Sequence, residues 1–170
     1  TAFFLAPMIT PEAEVSNEFT RSQTVQLDLK PIEEDADQGM ELAFSTLELA
    51  DDGEEQRLGL MNRTELCEDC GMLFQFRRIK ERSFWMKDTL IPLDIIFMDS
   101  DGKIVKVHEG AVPEDTSVTY PSEVAVEYGL EVNAGQAKVL GVSEGDTVNV
   151  RDLVAKSVPY VYTEEGKDQE

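Results

Sequence analysis

Asp94-Ile95-Ile96-Phe97-Met98-Asp99-Ser100-Asp101-Gly102-Lys103-Ile104-Val105-Lys106-Val107 places two runs of mainly β-branched and aromatic residues on either side of a four-residue polar segment that ends in glycine. Such side chains suit an extended, packed strand, and a glycine in so short a connection supplies the positive φ that a tight hairpin requires. The stretch predicts an antiparallel hairpin with strands at 94–98 and 103–107. Asp99-Ser100-Asp101-Gly102 also has the look of the first half of a calcium loop. The bidentate Glu of such a loop is missing, because His108 stands six residues after Gly102, so a turn explains the segment better.

Working outward, 124–132 reads as a strand, 135–140 as a short helix and 145–150 as a closing strand, with the Gly141-to-Gly145 segment a turn. Upstream, 72–76 and 84–87 read as two strands separated by the cationic stretch 77–82. Leu58 and Met61 recur at helical spacing after Asp51-Asp52-Gly53, with acids in the first turn, which predicts a helix over 54–63. Leu42, Phe44, Leu47 and Leu49 give a strand. Val25, Leu27 and Leu29 give another, and the two are expected to pair as a hairpin across the acidic break 33–39. The fold class is mostly β (α+β): a small barrel or sandwich of short antiparallel strands with one or two short helices. An acidic N-terminal arm with one strand occupies 1–39, a single core domain 40–155 and a C-terminal extension 156–170.

The chain has 170 residues, 35 acids and 15 bases, a formal charge of −20. A surface so negative repels phosphate backbones and anionic headgroups, so nucleic acid is not an expected partner. The charge is uneven: residues 1–57 carry fourteen acids and three bases, whereas 58–110 carry nine and eight, so the organised middle is nearly neutral. No apolar run is long enough to span a bilayer. The opening Thr1-Ala2-Phe3-Phe4-Leu5-Ala6-Pro7 suits the start of a mature exported protein or the remnant of a longer apolar segment, and the expected location is extracytoplasmic, periplasmic or secreted.

Four blocks follow one another in a distinctive order: Gly59-Leu60-Met61-Asn62-Arg63, Gly71-Met72-Leu73-Phe74, Phe84-Trp85-Met86-Lys87-Asp88-Thr89-Leu90-Ile91-Pro92-Leu93-Asp94-Ile95-Ile96-Phe97, and Leu130-Glu131-Val132-Asn133-Ala134-Gly135. Together they resemble the domain of unknown function 192 family, over about residues 50–150. The resemblance implies a compact, mostly-β domain, frequently exported, with no agreed activity to carry over. Cys67, Cys70 and the acidic N-terminal region lie outside the family's pattern.

Six residues are candidates for binding a ligand: Arg63, Trp85, Lys87, Asp88, Asp94 and Glu131. Trp85 offers an aromatic face, with Lys87 and Arg63 as donors, a set suited to a sugar or small anion. Against this, a lone Trp usually packs in a core, and that is the expectation here, with Lys87 at the surface and Asp88 capping a turn. Asp94 and Glu131 stand at the edges of apolar runs, where a carboxylate needs a cation or several N–H donors. A clamp on Arg63 is expected, ahead of an acid–base pair. Cys67-Glu68-Asp69-Cys70 has the spacing of a redox disulfide or half a zinc site, but the flanking acids disfavour a thiolate and His108 is the chain's one histidine. A structural disulfide or two quiet thiols is expected, with no metal and no cofactor. Arg77, Arg78, Lys80, Arg82 and Lys87 form a cationic patch, expected to meet the chain's own acidic N-terminal region ahead of an anionic ligand or acidic partner.

No nucleophile elbow, phosphate-binding loop or dinucleotide fingerprint is present. The function expected is therefore a non-enzymatic extracytoplasmic binding or accessory module, for a polar ligand or an envelope protein partner. A small hydrolase or carbohydrate-active enzyme using Asp88, Asp94 or Glu131 as paired carboxylates is the alternative.

Overall fold

A computed structural model describes residues 39–160, which form six strands and three short helices. The strands are β1 (Thr46–Ala50), β2 (Cys70–Phe84), β3 (Leu93–Met98), β4 (Ile104–Ala111), β5 (Tyr120–Asn133) and β6 (Val158–Pro159). The helices are α1 (Gly53–Leu58), α2 (Gln136–Leu140) and α3 (Val150–Lys156). All six strands join one sheet in the order β4-β3-β5-β2-β1-β6, antiparallel from β4 to β2, with β1 parallel to both β2 and β6. The mostly-β α+β class holds, and the sheet is open rather than closed into a barrel.

Both faces of this sheet are covered, so its central strands are apolar on both sides. Leu73, Ile96, Met98, Leu130 and Val132 face one core, under α2, α3 and Val148. Met72, Phe74, Phe76, Leu93, Ile95 and Phe97 face the other, under Leu60, Met86 and Ile91. Alternate side chains along a strand point to opposite faces, which divides β2, β3 and β5 between the two cores.

The 94–107 hairpin forms as expected: the Asp99 carboxylate accepts from the N–H groups of Asp101 (3.0 Å) and Lys103 (2.9 Å), and Gly102 has φ +81°. A Cβ at residue 102 would lie 2.1 Å from the Val148 carbonyl oxygen, so glycine is required by space as well as by dihedral. Helix α1 begins with a capping box, Asp52 accepting from the Glu54 and Glu55 N–H groups while Glu55 accepts in return from Asp52. Gly59, with φ +49° and ψ −133°, ends the helix after Leu58, short of the 54–63 span its periodicity predicts.

Other expectations need correction. Residues 72–76 and 84–87 are not two strands: β2 runs unbroken from Cys70 to Phe84, and Trp85 and Lys87 lie in the loop beyond it. The cationic stretch 77–82 continues the strand, bulging where Gln75 pairs with Tyr128 and Lys80 with Val126, five positions on β2 against two on β5. Residues 145–150 are no closing strand. Thr147 and Val148 make only isolated bridges, to Lys103 and Met40, and Asn149 then caps α3 by accepting from the Asp152 N–H. The β1 strand is shorter than 42–49 and pairs with β2 and β6; the expected 25–29 strand, the N-terminal arm and residues 161–170 lie outside the described residues.

Asp94 closes the corner between β3, β4 and α2. Fully buried, it accepts from the N–H groups of Gly110 (2.8 Å), Gly135 (2.8 Å) and Ala137 (3.0 Å). Asp94→Ala would leave three buried donors without an acceptor and should cost on the order of 3 kcal/mol in urea unfolding. A loss below about 1 kcal/mol would show that water replaces the carboxylate at no cost.

Candidate functional site

Beyond Phe84 the chain turns back across the sheet, and the turn makes a groove of about 240 Å³ between α1, the end of β2 and the 85–89 loop. Phe74, Phe76 and Phe84 line it, the Phe84 ring 4.8 Å from that of Phe74 at a steep angle. Gly129 admits the Phe84 ring, because a Cβ there would lie 3.1 Å from it. Trp85 stands at the mouth, 50% exposed, with the Lys87 ammonium 5.5 Å from its ring centroid. The expectation of a core tryptophan is overturned: the residue lies past the end of β2 and is half exposed.

Arg82, which also lines the groove, lies over the Phe76 ring at 4.1 Å and donates to the Arg78 carbonyl at 2.7 Å. Its Nε–H is buried without an acceptor among the described residues, and burial pulls its pKa down. Arg57 lines the same groove and pairs with Glu54 (2.9 Å). Asp88 is exposed, 3.9 Å from Lys87, and its carbonyl accepts from the Asn62 N–H at 2.7 Å, tying the 85–89 loop to the loop after α1. The rest of the cationic patch, Arg77, Arg78 and Lys80, is exposed on the bulge of β2.

Arg63 does not clamp Asp94 or Glu131. Both of its terminal nitrogens donate to the Glu48 carboxylate (2.5 and 2.7 Å), a fork-on-fork geometry that raises the guanidinium pKa. Tyr160 lies under the same guanidinium, 5.8 Å from ring centroid to carbon, and donates from its hydroxyl to the Gly59 carbonyl at 3.2 Å. Register explains the choice: Glu48 pairs with Met72, Met72 with Glu131 and Glu131 with Ile95, so the two glutamates share one cross-strand row on the α1 face of the sheet. Asp94 pairs with Val132, one position along, and so faces the opposite core. Asp94 and Glu131 therefore do not address one cleft, and the arrangement gives no acid–base pair from them.

Glu131 is 6% exposed, and its carboxyl makes no hydrogen bond among the described residues. Burial raises its pKa from the ordinary 4.5 to about 8, against the weaker opposing field of Arg63. It is therefore a neutral acid at pH 7.

Cys67 and Cys70 form a disulfide, with the Ser45 hydroxyl 3.5 Å from the Cys67 sulfur. The bridged loop is held further by Asn133, which donates to the carbonyls of Leu66 (3.2 Å) and Cys67 (2.8 Å). His108 donates from Nε2 to the Pro121 carbonyl (2.8 Å) and joins β4 to β5. No group of three His, Cys, Asp or Glu side chains among the described residues is placed to hold a metal, and no described helix is long and apolar enough to cross a membrane.

With this geometry in view, a family model described as DUF192, an uncharacterized ACR family, matches residues 34–150, well over half the chain. The chain belongs to the DUF192 family. Two solved structures are similar. One, from Sinorhizobium meliloti 1021, is described as a candidate transcription regulator and is 46% identical, with a TM-score of 0.57, covering 59% of this chain and 78% of its own. The other, of unknown function from Novosphingobium aromaticivorans DSM 12444, is 40% identical with a TM-score of 0.57, covering 59% and 71%. No curated protein matches. Within this DUF192 chain, Arg57 and Gly59, which line the groove, and Glu48, which holds Arg63, were missed by sequence reasoning, whereas Arg82 entered it as one cation of the patch; the signal available for Glu48 was a charge between Leu47 and Leu49.

The raised pKa of Glu131 sets a pH dependence. In the unfolded chain this carboxyl loses its proton near 4.5, whereas the folded chain keeps it to about 8. Between those values the folded state holds one extra proton, so stability falls as pH rises, by about 1.4 kcal/mol per unit, and the loss is complete above the folded value. Glu131→Gln escapes this loss. Its stability advantage over wild type in urea titrations should grow by about 3 kcal/mol from pH 4 to pH 7, and a pH-independent difference would contradict a neutral Glu131.

Proposed function

We propose that this domain is a non-enzymatic binding module whose groove holds a small polar ligand of the sugar or small-anion class. The exposed Trp85 carries the reading. An indole left half in water forgoes the burial that makes tryptophan useful in a core, and here it stands over an aromatic-lined groove with a cation beside it. Arg82 adds an Nε–H donor that has no acceptor within the described chain. Stacking on Trp85 and pairing with Arg82 and Lys87 would satisfy both.

The disulfide supports an extracytoplasmic setting, because such bonds persist in oxidising compartments. Direct binding to a phosphate backbone would work against a net charge of −20. The hydrolase alternative gains no support from carboxylates that face opposite sides of the sheet.

Trp85 is the chain's one tryptophan, so its emission reports on the groove directly. Titration with a panel of monosaccharides and small carboxylates should shift that emission saturably, and Arg82→Ala should weaken the affinity roughly tenfold or more. Emission unmoved across the panel, in a folded protein, would refute the groove as a ligand site.

A further inference from the structure

Strand β1 follows β2 only as far as the Ala50–Phe74 pair, whereas β2 continues to Phe84. From Gln75 onward β5 is the one strand beside it among the described residues, and its other side is an open sheet edge. Two carbonyls of this stretch are met by side chains in place of a strand: Gln56 donates to Gln75 and Arg82 donates back to Arg78, each at 2.7 Å. The donors and acceptors of a strand edge repeat at a spacing that another polypeptide backbone matches.

Four of the six residues 77–82 are cations. Arg77, Arg78 and Lys80 are exposed, and none makes an ion pair among the described residues, although the chain holds 35 acids against 15 bases. Charges on a free edge also keep sheets from joining one another. In a chain of net charge −20, acids would serve that end, because they repel every further copy, whereas cations draw an acidic segment in. Beside Asp51, just past β1, a hollow of about 350 Å³ is lined by Gln75, Phe76, Arg77 and Ile79 of β2 and by Glu127. Ile79 is 58% exposed, so the hollow offers an apolar wall to an uncharged side chain.

We propose that the free edge of β2, over residues 76–84, is a docking surface for an extended acidic segment of another protein, which adds to the sheet as a strand and sets its carboxylates against Arg77, Arg78 and Lys80. The backbone edge favours a polypeptide over a nucleic acid, whose phosphates meet the cations but not the strand. The bulge between Gln75 and Lys80 confines regular pairing to a few residues, so charge supplies much of the binding. None of these three cations lines the groove that holds Trp85, and the surface is separate from it.

The test uses the full chain and a fluorescein-labelled peptide of about ten alternating glutamates and threonines, with the lysine–threonine counterpart and an oligothymidylate of equal length as controls. Anisotropy should show saturable binding of the acidic peptide alone, weakening roughly tenfold or more as salt rises from about 50 to 500 mM. The triple variant Arg77→Gln, Arg78→Gln, Lys80→Gln, whose side chains are all exposed, should keep the wild-type urea midpoint and lose at least about tenfold in affinity. Methylating alternate backbone nitrogens of the peptide keeps its charge and removes donors, and should weaken binding by a similar factor. The Arg82 N–H bonds to Ser122 on β5, so by alternation the Glu81 and Ser83 amides face the open side, and their hydrogen exchange should slow when the peptide binds. No binding of the acidic peptide, or oligothymidylate bound as tightly, would overturn the proposal. Equal affinity for the methylated peptide would overturn strand addition, and Glu81 and Ser83 amides already slow before peptide is added would show that the chain itself covers the edge.

Discussion

The pairing of β2 with β5 is the contact on which the rest of the molecule depends. These are its two longest strands, and they lie at the centre of the sheet, so each must be apolar on both faces where the two cores cover it. Two consequences follow for the groove. Because β2 outruns the doubly covered part of the sheet, its second half is charged, bulged and open on one side. Because its end still pairs with the start of β5, at Phe84 opposite Tyr120, the Phe84 ring is brought back over Gly129 and Trp85 is carried out to the surface.

The same constraint explains the unequal state of the two glutamates. Glu48 sits on β1, toward the edge of the sheet, where the loop after α1 can bring Arg63 down upon it in a two-pronged bond. Glu131 sits two strands further in, on β5 between Met72 and Ile95, where Arg63 reaches only through its field. A guanidinium that is already bonded at both tips by one carboxylate has little left for a second. Burial then decides the protonation of Glu131, because a charge surrounded by hydrocarbon costs more than the distant cation returns.

What the sequence disclosed followed from local chemistry. The hairpin at 94–107 was legible because its strands are apolar and its short turn holds a glycine, and α1 was legible from its spacing and first-turn acids. The unbroken course of β2 was not, since a run of arginines and lysines reads as a loop when the partner strand that holds it is unknown. Thr147-Val148-Asn149-Val150 alternates like a strand, yet the neighbouring chain offers only single bridges, and Asn149 is a better cap than strand residue. Trp85 was placed in the core by the habits of its residue type, which say nothing of where a strand ends. The Arg63–Glu48 pair was hidden because its selection depends on register, and a shift of one residue would have put Glu48 in the other core.

The disulfide sets how firmly the base of the groove is held. Residues 59–69 carry little regular structure, yet they must keep Gly59 against Phe74 and Arg63 against Glu48. Their far end is fixed by the Cys67–Cys70 bond at the head of β2, by Asn133 on β5, and by the Ser45 N–H donating to the Asp69 carbonyl. Their near end is fixed by the Glu55 carbonyl, which accepts from the Gly59 N–H. A loop pinned at both ends loses little further entropy when its middle is ordered, so a bidentate ion pair and one bond to Asp88 suffice to hold the glycine in place. Rigidity at Gly59 matters because the Glu131 carboxyl beside it has no hydrogen-bond partner among the described residues: a loop that lifted would admit water and weaken the burial that raises its pKa.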